Sequence, residues 1–229
     1  AEVVRITSLQ VVDDIVTPCS SACASAAVWK ACETYTRNHG PAFNLGPTKS
    51  AILRIGSPQS EAACVCRPSY FDTPIAMVTS YRYMGITLDD QLTMTDHFNQ
   101  ITARLGEAFD KHYGASRGVN MPWLPFAATI TTYVVPAGMF GAGLCIGVAN
   151  AEVCLNRIQA RWARQVLGLN KLRAGTWCFL VAQCGWTRRL GTLLLAEALQ
   201  LEARVLLMAD GTPVKHLLEA AHAGPWKTW

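Results

Sequence analysis

The chain has 229 residues, a length that suits one large domain or two small ones. Hydrophobic residues make up 51% of it and charged residues only 16%, which is enough for a real core and excludes a chain too polar to fold around one. The net charge of +4 permits a nucleic-acid partner without requiring one, so the distribution of the charges matters more than their sum.

The nine cysteines occur at irregular spacings and form no Cys-x-x-Cys pair. Cys64 and Cys66 stand close together, but no histidine nearby completes a zinc site. We therefore expect free, buried thiols in a reducing intracellular compartment.

The first residues do not read as a signal peptide. Ala1 is followed by Glu-Val-Val-Arg-Ile, without a basic start and a long apolar run. The stretch reads as the middle of a strand, so we expect a chain cut from a longer protein.

Two adjacent carboxylates, Asp13 and Asp14, interrupt a run of β-branched apolar residues. Val and Ile favour strands and Asp-Asp does not, which predicts a hairpin with both aspartates at its tip. Apolar flanks suggest that the tip lies over a core, where carboxylates cost free energy unless a cation or hydrogen-bond donors meet them. A hard ion such as Mg²⁺ would do so. A plain Asp-Asp turn is the alternative.

The next segments read as helix, turn and strand. Pro18 and the serines after it start a helix, which ends at Gly40. A Gly-Pro turn leads to Lys49, and residues 50–55 read as a strand. Lys49 could equally be a solvated lysine in a turn. Residues 56–79, rich in Gly and Pro, read as a loop with short strands.

Residues 81–88 alternate with the period of a strand. Thr95 can cap a helix over residues 96–112, which carries a single apolar stripe. The stripe consists of Phe98, Ile101, Leu105 and Phe109.

Residues 126–149 carry no charge and would pass a hydropathy threshold for a membrane span. Pro136 and several glycines break the stretch into two helical pieces, and threonines dilute it. Buried helices of this length imitate spans, so a small membrane protein is the less favoured alternative.

Residues 152–168 predict an amphipathic helix. Arg157, Arg161 and Arg164 share one face, and a row of arginines without an acidic partner suits a phosphate backbone. An ordinary solvated basic face is the alternative. A last helix, residues 190–208, is expected in the core because leucines run through it. The apolar stripe of the arginine-bearing helix consists of Leu155, Ile158, Trp162, Val166 and Leu169.

Four of these segments, in this order, resemble the reverse transcriptases of non-LTR retrotransposons. Apolar-Val-Asp-Asp-apolar at residues 11–15 resembles the third palm motif, and Asn44 with Lys49 matches the fourth. The longest match, Tyr-Arg-Tyr-Met-Gly-Ile-Thr-Leu-Asp at residues 81–89, resembles the primer grip. Leu-x-x-Ile-Gln at residues 155–159 resembles the start of an Arg-bearing thumb helix.

The resemblance implies an α+β fold. Residues 1–90 would form part of a polymerase palm, a small antiparallel sheet with a helix. Its strands, in residues 1–17, 50–55 and 81–88, would pair with one another. Residues 91–229 would form a mostly helical thumb and a C-terminal extension.

The resemblance also implies an RNA-directed DNA polymerase, with an RNA template, a DNA primer, deoxynucleotide triphosphates and Mg²⁺. Asp13 and Asp14 would hold the metal, and Lys49 would protonate the departing pyrophosphate. The family would place the parent protein in the nucleus. The residues that bind nucleic acid would be Tyr83, Met84, Gly85, Arg157, Arg161 and Arg164.

The chain departs from this family in one important respect. The 229 residues hold no counterpart of the first palm motif, with its own metal-binding Asp, or of the fingers. We therefore expect that the chain alone is inactive as a polymerase. The alternative is a non-catalytic remnant that binds nucleic acid through its arginines. The sequence leaves the template, the target site and the oligomeric state open.

Overall fold

The computed structural model is of the α+β class, as the sequence predicted. It divides into two compact units, Ala1–Leu92 (unit 1) and Thr93–Trp229 (unit 2). The sequence had placed a boundary between residues 90 and 91. The structure describes residues 9–11, 14–40, 42–46, 48–56, 67–119, 121–167, 189–208, 212 and 215.

The described part of unit 1 contains one helix and eight short strands. The strands form four two-stranded sheets, in which β3 pairs parallel with β6, and β1–β2, β4–β5 and β7–β8 pair antiparallel. The elements are β1 (Leu9–Val11), β2 (Asp14–Val16), α1 (Ala22–His39), β3 (Ala51–Leu53), β4 (Ser69–Tyr70), β5 (Thr73–Pro74), β6 (Ala76–Val78), β7 (Ser80–Tyr83) and β8 (Ile86–Asp89).

Among the described residues, the strands in residues 1–17, 50–55 and 81–88 do not pair with one another, contrary to the prediction. Residues 81–88 are two strands of a tight hairpin, with Tyr83 opposite Ile86. Met84 and Gly85 between them have positive φ angles of 49° and 84°, as in a type I′ turn. The apolar alternation therefore runs along both arms of a hairpin, which a period of two alone does not reveal.

Helix α1 ends before Gly40, as the sequence predicted, and begins after Ser21, so Pro18 lies outside it. The Ser21 hydroxyl accepts a hydrogen bond from the Ala24 N–H at 3.1 Å, which caps the first turn. Gly40 follows the helix with a φ of 88°, and its N–H donates to the Thr36 carbonyl at 2.8 Å.

A buried carboxylate fixes α1 against the turn that follows β4. The Glu33 carboxylate accepts hydrogen bonds from the Lys30 ammonium at 2.9 Å and from the Phe71 N–H at 2.8 Å, although Glu33 is only 3% exposed. These hydrogen bonds, that of Lys30 above all, hold the pKa of Glu33 below its usual value. Beside it, the Tyr70 hydroxyl lies 2.8 Å from the Thr36 hydroxyl. Strand β4 is thereby tied to α1.

The regular structure described in unit 2 is entirely helical, as predicted for residues 96–208. Its elements are α2 (Thr95–Gly118), α3 (Trp123–Thr129), a π-helix (Ile130–Val134), α4 (Val135–Met139), a 3₁₀ helix (Ala142–Cys145), α5 (Ala151–Leu167) and α6 (Leu190–Leu206).

Helix α2 buries the predicted apolar stripe but has different ends. It reaches Gly118 rather than residue 112, and Thr95 is its first residue rather than its cap. Met94 precedes it in a left-handed conformation, with a φ of 58°. The Thr95 N–H donates to the Thr93 hydroxyl at 3.3 Å, so Thr93 satisfies a backbone amide that has no partner within the first turn of the helix. The stripe in the core is Phe98, Ile101, Leu105 and Phe109.

The uncharged stretch at residues 126–149 forms two helical pieces, as the sequence predicted: the continuous run of α3, the π-helix and α4, and the separate 3₁₀ helix. Pro136 lacks an N–H and cannot complete a regular helical hydrogen bond, and the π-helix precedes it. Gly141, with a φ of 74°, separates α4 from the 3₁₀ helix. None of the helices in the described residues is both long and apolar enough to cross a membrane.

Helix α6 is less buried than predicted. Leu190 and Leu194 lie in the core, whereas Leu195 and Leu199 are exposed, Leu199 by 64%. The leucines therefore extend around the helix rather than along its buried face alone.

Candidate nucleic-acid interface

Helix α5 carries the three predicted arginines on its outer face. Arg157 and Arg161 are exposed and Arg164 is half-buried. At about 3.6 residues per turn, Arg164 lies opposite Leu155, which is fully buried in the core. The amphipathic helix that the sequence predicted is thereby confirmed within residues 151–167.

The arginine face is not neutralised within the described part of the chain. The ion pair found there, between Lys30 and Glu33, lies in unit 1. Arg157, Arg161 and Arg164 extend for about 10 Å along the helix axis, and none of them has an ion-pair partner among the described residues. Leu169, predicted in the apolar stripe, lies outside the described residues.

The inner flank of α5 holds the start of α6 in place. The Leu190 N–H donates to the Gln159 side-chain oxygen at 3.0 Å, and the Gly191 N–H donates to that of Asn156 at 3.1 Å. Arg189, the residue that precedes α6, makes no side-chain cap of its own. Two amides that a helix start leaves unpaired are thus satisfied from a neighbouring helix.

A stack of three aromatic rings joins α5 to α2. Trp162 lies 4.9 Å from Phe109 with the ring planes 3° apart, and Phe109 lies 5.5 Å from Tyr113 at 12°. The Tyr113 hydroxyl donates to the Gln165 carbonyl in the last turn of α5 at 3.0 Å. Arg117 makes a cation–π contact with the last ring of this stack, with its guanidinium carbon 6.0 Å from the centre of the Tyr113 ring.

In unit 1, the Lys49 turn and the hairpin of residues 80–89 are joined. The Lys49 N–H donates to the Gly46 carbonyl at 2.9 Å, which closes the predicted turn. The Tyr81 hydroxyl donates to the Lys49 carbonyl at 2.7 Å. The structure therefore brings together two segments that the sequence had selected separately, and it leaves the Lys49 side chain exposed.

The three residues of the expected primer grip lie at the end of this hairpin. Met84 is 45% exposed and shares the turn with Gly85. Tyr83 is half-buried, and its hydroxyl has no hydrogen-bond partner among the described residues. Gly85 was expected to bind nucleic acid, and its positive φ also gives it a local role in the turn.

The aspartate pair is described only in part. β1 and β2 pair antiparallel with Val11 opposite Asp14, so Asp14 stands in a strand rather than at the hairpin tip where it was predicted. Asp14 begins β2, and Asp13 lies outside the described residues. No three His, Cys, Asp or Glu side chains of the described residues gather in a group that could hold a metal ion.

Not all of the cysteines that the structure describes are buried. Cys19 and Cys23 are exposed, contrary to the expectation for free cysteines in this chain. Cys145 is buried, and desolvation raises its pKa to about 11. Cys64 and Cys66 lie outside the described residues.

Comparisons of the chain with protein-family models, with curated proteins and with solved structures return no match. The resemblance to reverse transcriptases therefore depends on the sequence motifs, and the family is a proposal.

Proposed function

We propose that this chain is the palm-and-thumb portion of an RNA-directed DNA polymerase of the non-LTR retrotransposon type, and that α5 binds the template–primer duplex. The observation that carries the proposal is the arginine face, Arg157, Arg161 and Arg164, opposite the buried side of α5. Guanidinium groups form strong charge-assisted hydrogen bonds with phosphates. A rigid helix that presents three of them in a row suits a nucleic-acid backbone.

Two features of unit 1 support the same proposal. The Lys49 turn and the hairpin that ends in Met84 and Gly85 are held together through Tyr81, so the two expected palm motifs occupy one region of the fold. In the parent enzyme, Mg²⁺ held by Asp13 and Asp14 would supply the activation of the primer hydroxyl. Lys49 would hold the proton for the pyrophosphate.

The alternative is a non-catalytic remnant that binds nucleic acid through the same arginines. Such a remnant would use the same binding surface as the polymerase but would have no catalytic activity in unit 1. Binding and primer extension are therefore tested separately.

The binding test replaces Arg157, Arg161 and Arg164 with Ala and measures affinity for a short RNA–DNA duplex between about 50 and 200 mM salt. Each arginine that no longer neutralises a phosphate should lower the slope of log affinity against log salt by about 0.7 to 0.9. The triple variant should therefore flatten the slope by roughly two to three units.

A second triple variant, Arg37→Ala, Lys111→Ala and Arg204→Ala, removes the same net charge from exposed positions outside the segments proposed to bind nucleic acid. It should keep most of the slope, because none of these residues belongs to the arginine face. Equal slopes for the two variants would show that α5 carries an ordinary solvated basic face and that the proposal is wrong.

A further inference from the structure

We infer that Arg117 is a fourth phosphate-binding residue, so that the nucleic-acid surface extends from α5 onto the C-terminal end of α2. This inference rests on the proposed function and adds a residue that the sequence motifs did not include. Arg117 is exposed and lies in the last turn of α2, where a cation is also favoured by the helix dipole. The position of its side chain indicates a further role in binding a phosphate.

The guanidinium of Arg117 is positioned by the aromatic stack. It lies 6.0 Å from the centre of the Tyr113 ring, within the range of a cation–π contact. Tyr113 is itself fixed twice, by the near-parallel contact with Phe109 and by the hydrogen bond of its hydroxyl to Gln165. A flexible arginine therefore has a rigid support, which reduces the entropic cost of ordering it when it binds an anion.

Tyr113, the support of Arg117, contacts the last turn of α5. Gln165, which Tyr113 contacts, lies one turn after Arg161 on the same side of α5 and next to Arg164. A phosphate backbone that follows Arg157, Arg161 and Arg164 would therefore reach the Tyr113 side of α5. Arg117 has no ion-pair partner within the described part of the chain.

The charge on this side of α2 is mixed, which defines what the surface can bind. Asp110 is exposed two turns before Arg117, and Lys111 lies next to it. The acidic residue limits the basic surface to the C-terminal end of α2. The predicted footprint is thus a short segment of phosphate backbone across the ends of two helices.

The test measures the salt dependence of duplex binding by the full chain with Arg117→Gln. The slope should fall by about 0.7 to 0.9, the amount expected for one phosphate contact. Lys111→Gln, which removes the same charge from α2, should leave the slope nearly unchanged. Arg117→Lys should keep the slope, because the charge remains, and bind less tightly, because an ammonium lacks the planar fork.

Substitutions of Tyr113 test whether its ring positions Arg117, because they leave the charge of Arg117 unchanged. Tyr113→Phe keeps the ring under Arg117 and should keep its contribution, whereas Tyr113→Leu removes the ring. In the Tyr113→Leu background, Arg117→Gln should change affinity less than it does in the wild type. Circular dichroism of each variant checks that unit 2 stays folded.

The outcomes distinguish this inference from the proposed function. If the α5 triple variant flattens the slope and Arg117→Gln matches Lys111→Gln, Arg117 is only a helix-terminal cation and the inference is wrong. If neither variant alters the slope, the proposed function fails as well. If Tyr113→Leu leaves the effect of Arg117→Gln intact, the aromatic support has no part in binding.

Discussion

Gly138 of α4 lies so close to α2 that no side chain fits. A Cβ built there would meet the Leu105 side chain at 2.3 Å and its Cα at 3.2 Å, and Leu105 is fully buried. Because the clash includes the backbone of a packed helix, a rotamer change of Leu105 cannot relieve it fully. The missing side chain therefore sets how closely α4 packs on α2.

Gly143 plays the same part between the 3₁₀ helix and α6. A Cβ there would lie 2.9 Å from the Ala198 nitrogen and 3.0 Å from the Glu197 carbonyl carbon. The Gly143 N–H also hydrogen-bonds Glu197, whose pKa is nevertheless raised because burial penalises the charged carboxylate. At both positions a residue larger than glycine is excluded because another helix packs against the glycine.

We expect Gly138→Ala and Gly143→Ala to lower the free energy of unfolding by about 1 to 3 kcal/mol each. Gly114→Ala is the matched control, because Gly114 lies in α2 with nothing within 4 Å of the added carbon. It should raise stability by about 0.4 to 1 kcal/mol through the lower entropy of the unfolded chain. Urea unfolding followed by circular dichroism measures all three. A Gly138→Ala protein as stable as Gly114→Ala would contradict the close approach of α4 and α2.

At the scale of elements, α5 serves two purposes through two faces. Its inner flank supplies Asn156 and Gln159 to the start of α6, and its outer face presents the arginines. The two hydrogen bonds fix the start of α6 to α5, so the arginine-bearing helix is also a structural support of unit 2. Substitutions on the outer face can therefore test binding without disturbing the core.

The hairpin β7–β8 gives a testable prediction at this scale. Met84 adopts a positive φ of 49° without the freedom of glycine, which costs roughly 1 to 2 kcal/mol relative to an unstrained position. Met84→Asn creates Asn-Gly, the favoured pair for a type I′ turn, and should raise the stability of the hairpin. Met84→Val should lower it, because a β-branched residue is poorly tolerated at positive φ.

Hydrogen exchange of the amides in residues 80–89 reports on this hairpin directly. Protection should rise in Met84→Asn and fall in Met84→Val. The reverse order would mean that the turn is not of the type described. Residues 51–53, in the sheet of β3 and β6, provide an internal reference within unit 1.

At the scale of the whole molecule, we expect the 229-residue chain to bind duplex but to fail in primer extension. The polymerase family draws metal-binding carboxylates from two palm strands, and the sequence offers the pair Asp13 and Asp14 without a recognisable first motif. One Asp pair leaves Mg²⁺ with water on most of its coordination sites.

Primer extension on an RNA template with added Mg²⁺ should therefore give no product. Robust extension that disappears in Asp13→Asn and Asp14→Asn variants would show that these residues contain a complete metal site. Extension that survives both substitutions would exclude the assignment of the aspartate pair.

Short-range pattern was enough to predict much of unit 2 and of the site. The stripe from Phe98 to Phe109 and the arginine face of α5 follow from the helical period, because burial of one side of a helix depends on its own sequence. The ends of α1 were equally predictable, since Ser21 and Gly40 act on the backbone next to them.

The sequence by itself thus determined the helices, their buried faces and the row of arginines. Tertiary structure decided which strands pair, how residues 81–88 fold back, and that Asn156 and Gln159 cap α6. It also decided that the Tyr113 ring, on which Arg117 packs, is held by a hydrogen bond to α5. Periodicity reports which side of an element is buried, whereas these features depend on contacts between elements or on the turn that joins two strands, which periodicity does not encode.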